Sequence, residues 1–298
     1  MAVPVVCGIG QASVDLLGVS PGPLGAESRA VLKEVSIQGG GGAATALAAA
    51  AALGVRARLH ASLADDEFGR LALRGLRAAG VDCDHVAVRP GVLSPFTFRV
   101  LAPDRRHRLS FATAGDVSPA DVDLDGFLAG AAALLLDGSD PAPQLAAARG
   151  ARARGVPTFV DVSSAADGTT ELAAAADVLV CSERFAAEVA GHGQAEESLA
   201  DLTRLGPRAV IVTQGDAGSV GRFGGDTVRQ RAYPVEVADT TGAGDVYLGA
   251  LVAAWVQGNA PPRAMEIASA AAALSCRALG ARAGIADLQE ILEFLAAA

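Results

Sequence analysis

Short apolar, β-branched runs alternate along the chain with longer alanine-rich stretches of helical spacing. The pattern predicts strands over residues 3–9, 56–62, 131–137, 158–162, 209–213 and 232–237, and helices over 43–53, 67–79, 142–154, 182–190, 245–257 and 263–278. Strands that alternate with helices in this way predict an α/β fold of three layers, a mostly parallel sheet with helices on both faces. Ligands of such sheets bind at the carboxyl ends of the strands. Two stretches break the rhythm. Residues 15–37 carry Pro21, Pro23 and several glycines and cannot form one long helix. Residues 94–111 read as two extended pieces, 97–101 and 108–111, around a charged turn at 104–107. Both are expected to form a small β-sheet lid beside the ligand face of a single domain spanning 1–298.

Composition narrows the function. The chain has 298 residues, a net charge of −9 and only 4% aromatic residues, so neither a basic face nor stacking platforms for nucleic acid are on offer. Lys33 is the sole lysine and follows no glycine-rich loop, which excludes a Walker A site and a protein-kinase site. Cys7, Cys83, Cys181 and Cys276 are far apart, and the four histidines lack metal-ligand spacing. A reducing, cytoplasmic setting is expected, with no membrane partner, since no apolar run reaches the roughly 18 residues of a span.

The sharpest chemical signal is Asp239-Thr240-Thr241-Gly242-Ala243-Gly244-Asp245, standing directly before an apolar helical run. Gly242 and Gly244 let the backbone approach a ligand, and the free N–H groups of a helix start form an anion site. Asp245 would stand beside a phosphate bound there, placed to accept a proton from an attacking hydroxyl. Gly39, Gly40, Gly41 and Gly42 precede another apolar helix, which favours close approach of backbone to ligand. Thr213, Gly215 and Gly218 follow a strand, where a parallel sheet presents a nucleotide loop, although a hairpin turn has the same pattern. Asp15, just past the first strand, suits a hydroxylated ligand. Gly8-Ile9-Gly10 fails as a dinucleotide fingerprint, because Ser13 fills the third glycine position and prolines interrupt the expected helix.

Together, Asp15, the glycine run, the Thr213–Gly218 loop and the Asp239–Asp245 heptad resemble the ribokinase-like (PfkB) carbohydrate kinases over nearly the whole chain. Residues 64–69 and 76–81 match that family's first signature region, and residues 39–45 and 280–285 look most like its sulfofructose kinase branch. The resemblance implies an ATP- and Mg2+-dependent sugar kinase, with K+ as a possible activator. Asp245 is then the catalytic base and Gly242, Ala243 and Gly244 the anion hole. Asp15, Gly39–Gly42 and the lid arginine Arg108 fall at acceptor-binding positions, and Thr213, Gly215, Gly218 and Gly280 at nucleotide positions. Glu183 falls at a Mg2+ position, and Asp239 and Thr241 at a monovalent-cation site.

Three departures bear on the acceptor. Thr45 stands where the family has a sugar-binding asparagine. Ser182-Glu183-Arg184-Phe185 replaces an Asn-x-x-Glu motif, and the strand ending at Asp161 lacks the usual asparagine. A nucleoside kinase of the same fold is a second reading, although the lid offers only Phe96, Phe98 and Phe111 for base stacking. A non-catalytic sugar or nucleotide sensor is a third, opposed by the intact heptad. A small ketose or related sugar, phosphorylated on a primary hydroxyl, is the expected partner. Were it to carry a sulfonate or phosphate, Arg99 or Arg108 would be the candidates to line its pocket. Exposed lid edges would suit a homodimer.

Overall fold

A computed structural model describes residues 2–23, 31–105, 108–113 and 122–298, with Arg108 described by its main chain alone. Part of the predicted first lid segment, residues 24–30, and Arg106 and His107 of the charged turn lie outside the described residues. The strands are β1 (Val5–Ile9), β2 (Ser13–Val19), β3 (Glu34–Gly40), β4 (Arg56–Ala64), β5 (Val81–Arg89), β6 (Phe96–Leu101), β7 (Arg108–Thr113), β8 (Ala131–Leu136), β9 (Thr158–Val162), β10 (Val178–Ser182), β11 (Ala209–Thr213), β12 (Ser219–Phe223) and β13 (Asp226–Gln230). The helices are α1 (Gly42–Ala52), α2 (Glu67–Ala78), α3 (Leu124–Phe127), α4 (Pro141–Ala153), α5 (Thr169–Ala175), α6 (Glu183–Ala190), α7 (Ala195–Arg204), α8 (Ala243–Val256), α9 (Pro261–Ser275) and α10 (Leu288–Ala297).

Among the described residues, nine strands form one sheet in the order β13-β12-β11-β10-β9-β8-β1-β4-β5. All neighbours from β11 to β5 run parallel; β12 and β13 extend the sheet as an antiparallel edge. Side-chain alternation explains the two layers of helix. On β8, Leu134 and Leu136 enter one core with Cys7, Ile9 and Phe185, while Leu135 enters the other with Leu47, Leu59 and Leu251. Helices α1 and α8 are apolar on every side because they are buried on every side.

The second sheet has the order β3-β2-β6-β7, with β2 and β6 parallel and the outer pairs antiparallel. Its two faces differ in character. Asp15, Gln38, Thr97 and Arg99 lie on the face toward the large domain, whereas Val35, Ile37, Phe98 and Phe111 lie on the other and are exposed. Gln38 anchors β3 to the chain after α9: its Nε2 donates to Leu279 O at 2.9 Å, and its Oε1 accepts from Arg282 N at 2.9 Å.

One predicted strand is corrected. Residues 232–237 are irregular, and Ala232, Tyr233, Pro234, Val235 and Val237 line a cavity instead of pairing in a sheet. Pro234 explains the difference, since it offers no N–H to a ladder.

Candidate active site

The carboxyl ends of the parallel strands, the start of α8 and the inner face of the small sheet converge on one cluster of charges. Gly242 caps α8 with φ +77°, and a Cβ there would stand 2.7 Å from the Ala281 Cβ. Left-handed geometry and close packing both demand glycine at this position. Helix α8 therefore begins with the amides of Gly244 and Asp245 lacking partners inside the helix. Around Gly244 a Cβ would meet nothing within 4 Å, so the helix start faces open space.

Asp245 is half-buried in the first turn of α8. Its carboxyl is pushed up to about 7, first by burial and then by the negative charges of Asp137 and Asp15; Arg282 is the cation that opposes them. Asp15, buried on β2, is likewise raised by burial, while Arg99 and Arg282 pull it back. Asp161, at the end of β9, is pushed up to about 8 by burial and by Asp245 and Asp137. A base held near 7 is matched to proton transfer at neutral pH.

Asp137, just past β8, is a scaffold for this cluster. Its Oδ2 accepts from Gln11 N at 2.7 Å and Ala43 N at 2.9 Å, and its Oδ1 from Ser139 Oγ at 2.6 Å and Gln144 Nε2 at 2.8 Å. It thereby ties the chain after β1 to the start of α1.

Each member of the glycine run makes room for a group of the protein itself. A Cβ on Gly39 would overlap the Arg282 guanidinium, one on Gly40 would stand 2.5 Å from Asp15 Oδ2, one on Gly41 would overlap Gln11 O, and one on Gly42 would stand 3.0 Å from Asp137. The run lets Asp15, Asp137 and Arg282 draw close, so its link to the site passes through those side chains.

Two arginines reach this cluster: Arg99, a candidate from the sequence for an anionic acceptor, and Arg282, which spacing did not reveal. Arg99, on β6, hydrogen-bonds the Thr241 hydroxyl and so spans from the lid to the chain entering α8. Arg108 begins the outer strand β7, and its side chain is outside the described residues. Arg282 donates through Nε to Thr45 Oγ1 at 3.3 Å and through Nη2 to Gly40 O at 2.6 Å, while Nη1 is buried without an acceptor. Burial lowers its pKa to about 10, against the opposing charges of Asp15 and Asp245, and it remains a cation at neutral pH. The available signals were the arginine within residues 280–285 and the small Thr45 facing it.

A cavity of about 470 Å³ opens beside the helix start, lined by Thr213, Gly215, Gly218, Tyr233, Ala243 and Gly244 among others. The loop from Thr213 to Gly218 is both a cavity wall and a hairpin, since β11 and β12 are antiparallel around it. Gly218 has φ +96°, and a Cβ there would overlap Gln230 O. Gly280 is not on this wall; its N–H donates to Asp239 Oδ2 at 3.0 Å, and it packs against Gln38.

Asp239 and Thr241 are tied to the protein. Asp239 Oδ1 accepts from Thr241 N at 3.1 Å and Thr241 Oγ1 at 2.8 Å, and Arg99 meets the same hydroxyl. Any monovalent cation here would rely on main-chain carbonyls. Glu183 is exposed at the start of α6, directly after Ser182, which pairs with Thr213 across β10 and β11. Among the described residues no group of three His, Cys, Asp or Glu side chains is placed to hold a metal. This donor set fits a Mg2+ ion carried in by a polyphosphate and bound mainly through it and water. No helix among the described residues is long and apolar enough to cross a membrane.

Comparison with known proteins agrees with this geometry. Residues 4–288 match the model of the pfkB family of carbohydrate kinases. The 2-dehydro-3-deoxygluconokinase of Thermoproteus tenax is 31% identical over 312 residues, covering 97% of this chain and 93% of that protein. An ATP-dependent ribose-1-phosphate kinase of Halopiger xanaduensis is 29% identical over 265 residues, covering 86% of each. The structure of Arabidopsis thaliana ribokinase complexed with ribose and ATP superposes with a TM-score of 0.85 at 26% identity, covering 99% of both chains.

Proposed function

The chain belongs to the pfkB family of carbohydrate kinases, and from that we propose that it transfers the γ-phosphoryl group of ATP to a primary hydroxyl of a small sugar. The observation that carries this reading is Asp245, a carboxylate held near neutrality in the first turn of α8, beside unpartnered amides and the 470 Å³ cavity. The nucleotide occupies that cavity, with its terminal phosphate at the helix start. Asp15 holds sugar hydroxyls beneath the lid.

In the reaction the acceptor oxygen bonds to the γ-phosphorus, the bond from phosphorus to the β–γ bridging oxygen breaks, and ADP leaves. The hydroxyl proton passes to Asp245. The Gly242–Asp245 amides and the dipole of α8 meet the charge on the transferring group, a contribution on the order of 3 kcal/mol for one donor. Glu183 is the side chain the sequence motif offers to a Mg2+ ion carried by the nucleotide, which would offset phosphate charge there. Arg99 closes the lid over the acceptor through Thr241 and excludes water.

The acceptor we favour is a ketose or related sugar bearing an anionic group. Arg99 and Arg282 both act on Asp15, so cations already face the acceptor side, and the H. xanaduensis relative is named for a phosphorylated sugar. The exposed lid residues Val35, Phe98, Leu109 and Phe111 support pairing of two copies through the lid. The test is ADP release from Mg-ATP across ketoses, aldoses, their anionic derivatives and nucleosides. Stimulation by an anionic sugar is the expected result. Stimulation by nucleosides alone would overturn the acceptor class, and nucleotide binding without turnover on any acceptor would overturn the reaction.

A further inference from the structure

A second cavity, of about 730 Å³, lies on the outer side of the lid strand β3, between it, α1, α2 and the chain after α9. It adjoins the acceptor side, with which it shares Gln38 and Arg282. Residues alternate along β3, so Ile37 and Gly39 face one way, while Gln38 and Gly40 face the other with Asp15. Ile37, Gly39, Ala48, Ala52 and Leu71 contribute to the cavity wall, and no aspartate or glutamate lines it. Its charged residues are Arg74 and Arg282. In a chain with 33 acidic and 24 basic residues, a cavity whose wall carries two arginines and no acid favours an anion over a cation.

The state of these arginines points to a ligand. Arg74 is exposed on α2 and makes no ion pair or hydrogen bond among the described residues. Arg282 packs its Nη1 against Gly39, where it is buried with no acceptor. A buried, unpaired guanidinium nitrogen is costly and gains strongly from an anionic partner. The small residues Ala48, Ala52, Gly75 and Ala79 keep the space open.

We propose that this cavity is an effector site for a small organic anion, a phosphate or carboxylate on a short apolar body. Arg74 meets the anionic group at the mouth, the guanidinium of Arg282 turns toward it from the wall, and Ile37 and Leu71 cover the apolar part. The site is coupled to the acceptor because Arg282 also holds Gly40 O at 2.6 Å, and Gly40 packs on Asp15. A ligand that draws on Arg282 therefore shifts the strand carrying the acceptor-side contacts.

The probe is phenyl phosphate, titrated calorimetrically with saturating ADP present so that the nucleotide cavity is filled. Gly75 is the position for a blocking variant, since a Cβ there meets nothing within 4 Å and leucine favours the helix more than glycine does. Expected results are binding of phenyl phosphate but not phenol, its loss in Gly75→Leu, and a weakening of about tenfold in the surface variant Arg74→Ala. Both variants should keep the wild-type affinity for ADP. The proposal is overturned if phenyl phosphate fails to bind, if ADP displaces it, or if it binds both variants as it binds the wild type. A change in the protein's mass in solution on Gly75→Leu, without loss of anion binding, would assign the groove to a second copy instead. None of these readouts requires turnover, so failure here is distinct from failure of the kinase reading.

Discussion

The guanidinium of Arg99, on the lid, hydrogen-bonds the hydroxyl of Thr241, four residues before the proposed base Asp245. On the proposed reading this contact spans the acceptor's cleft, so it would link lid position to the start of α8. Arg99→Met should raise the acceptor KM and lower kcat while leaving ADP affinity unchanged. A double-mutant cycle with Thr241→Ala should give a coupling of about 1 kcal/mol in kcat/KM. Additive effects of the two substitutions would show that the contact does not act in turnover.

The two glycines of the proposed anion hole should respond in opposite ways. Gly242→Ala places a side chain at φ +77° and 2.7 Å from Ala281, so it should cost about 2 kcal/mol or more of stability. Gly244→Ala meets open space, so its melting temperature should stay at the wild-type value while kcat falls about tenfold or more. Thermal melts and initial rates on both variants check this. Full activity in Gly244→Ala would place the phosphate elsewhere.

The pH dependence follows from the raised carboxyls. Asp245 must be ionised to take a proton, so kcat/KM should rise with pH through about 7 and then level. Arg282→Gln removes the cation opposing the rise and should move that limb to higher pH. Stability runs the other way. Asp245 and Asp161 hold protons in the folded state at pH values where the unfolded chain has lost them. Their contribution is therefore full below about pH 4 and is lost as pH rises through about 7 and about 8. Melting temperatures of the ligand-free protein from pH 5 to 9 should show the loss, and Asp161→Asn should lessen it. An identical pH trend in the variant would contradict the assignment.

Asp66 secures the lid from below. Its Oδ1 caps α2 through Gly69 N at 2.7 Å and accepts from Ser94 Oγ at 2.8 Å, and its Oδ2 accepts from Ser94 N at 2.9 Å, just before β6. Together these hydrogen bonds hold its carboxyl below the usual range despite some burial. Asp66→Ala should cost about 1–3 kcal/mol in denaturant unfolding. A loss under about 0.5 kcal/mol would contradict the capping role.

Much of this was legible from the chain alone. The alternation of apolar strands with alanine-rich helices gave the layered sheet, and the Asp239–Asp245 heptad could be placed at a helix start because two glycines precede an apolar run. Residues 232–237 read as a strand because they are largely apolar, but their side chains line a cavity, and Pro234 is the sign that no ladder runs through them. The arginines were harder. Arg99 stood in the sequence only as a candidate for an anionic acceptor, and no local period marked Arg282, because their approach to Asp15 depends on β6 and the chain after α9 meeting in the fold. Asp137 and Asp161 left a fainter trace, an acid at or near the end of an apolar strand, where a parallel sheet presents its ligands.

The most direct test of the account is single-turnover phosphoryl transfer by Asp245→Asn, alongside the acceptor's dissociation constant measured for the same variant. The substitution keeps the side chain's size and removes its basicity. The account predicts a fall in the transfer rate of about 10²–10⁴-fold, with the dissociation constant nearly unchanged. A transfer rate equal to that of the wild type would remove Asp245 from the role of base, and with it the central claim.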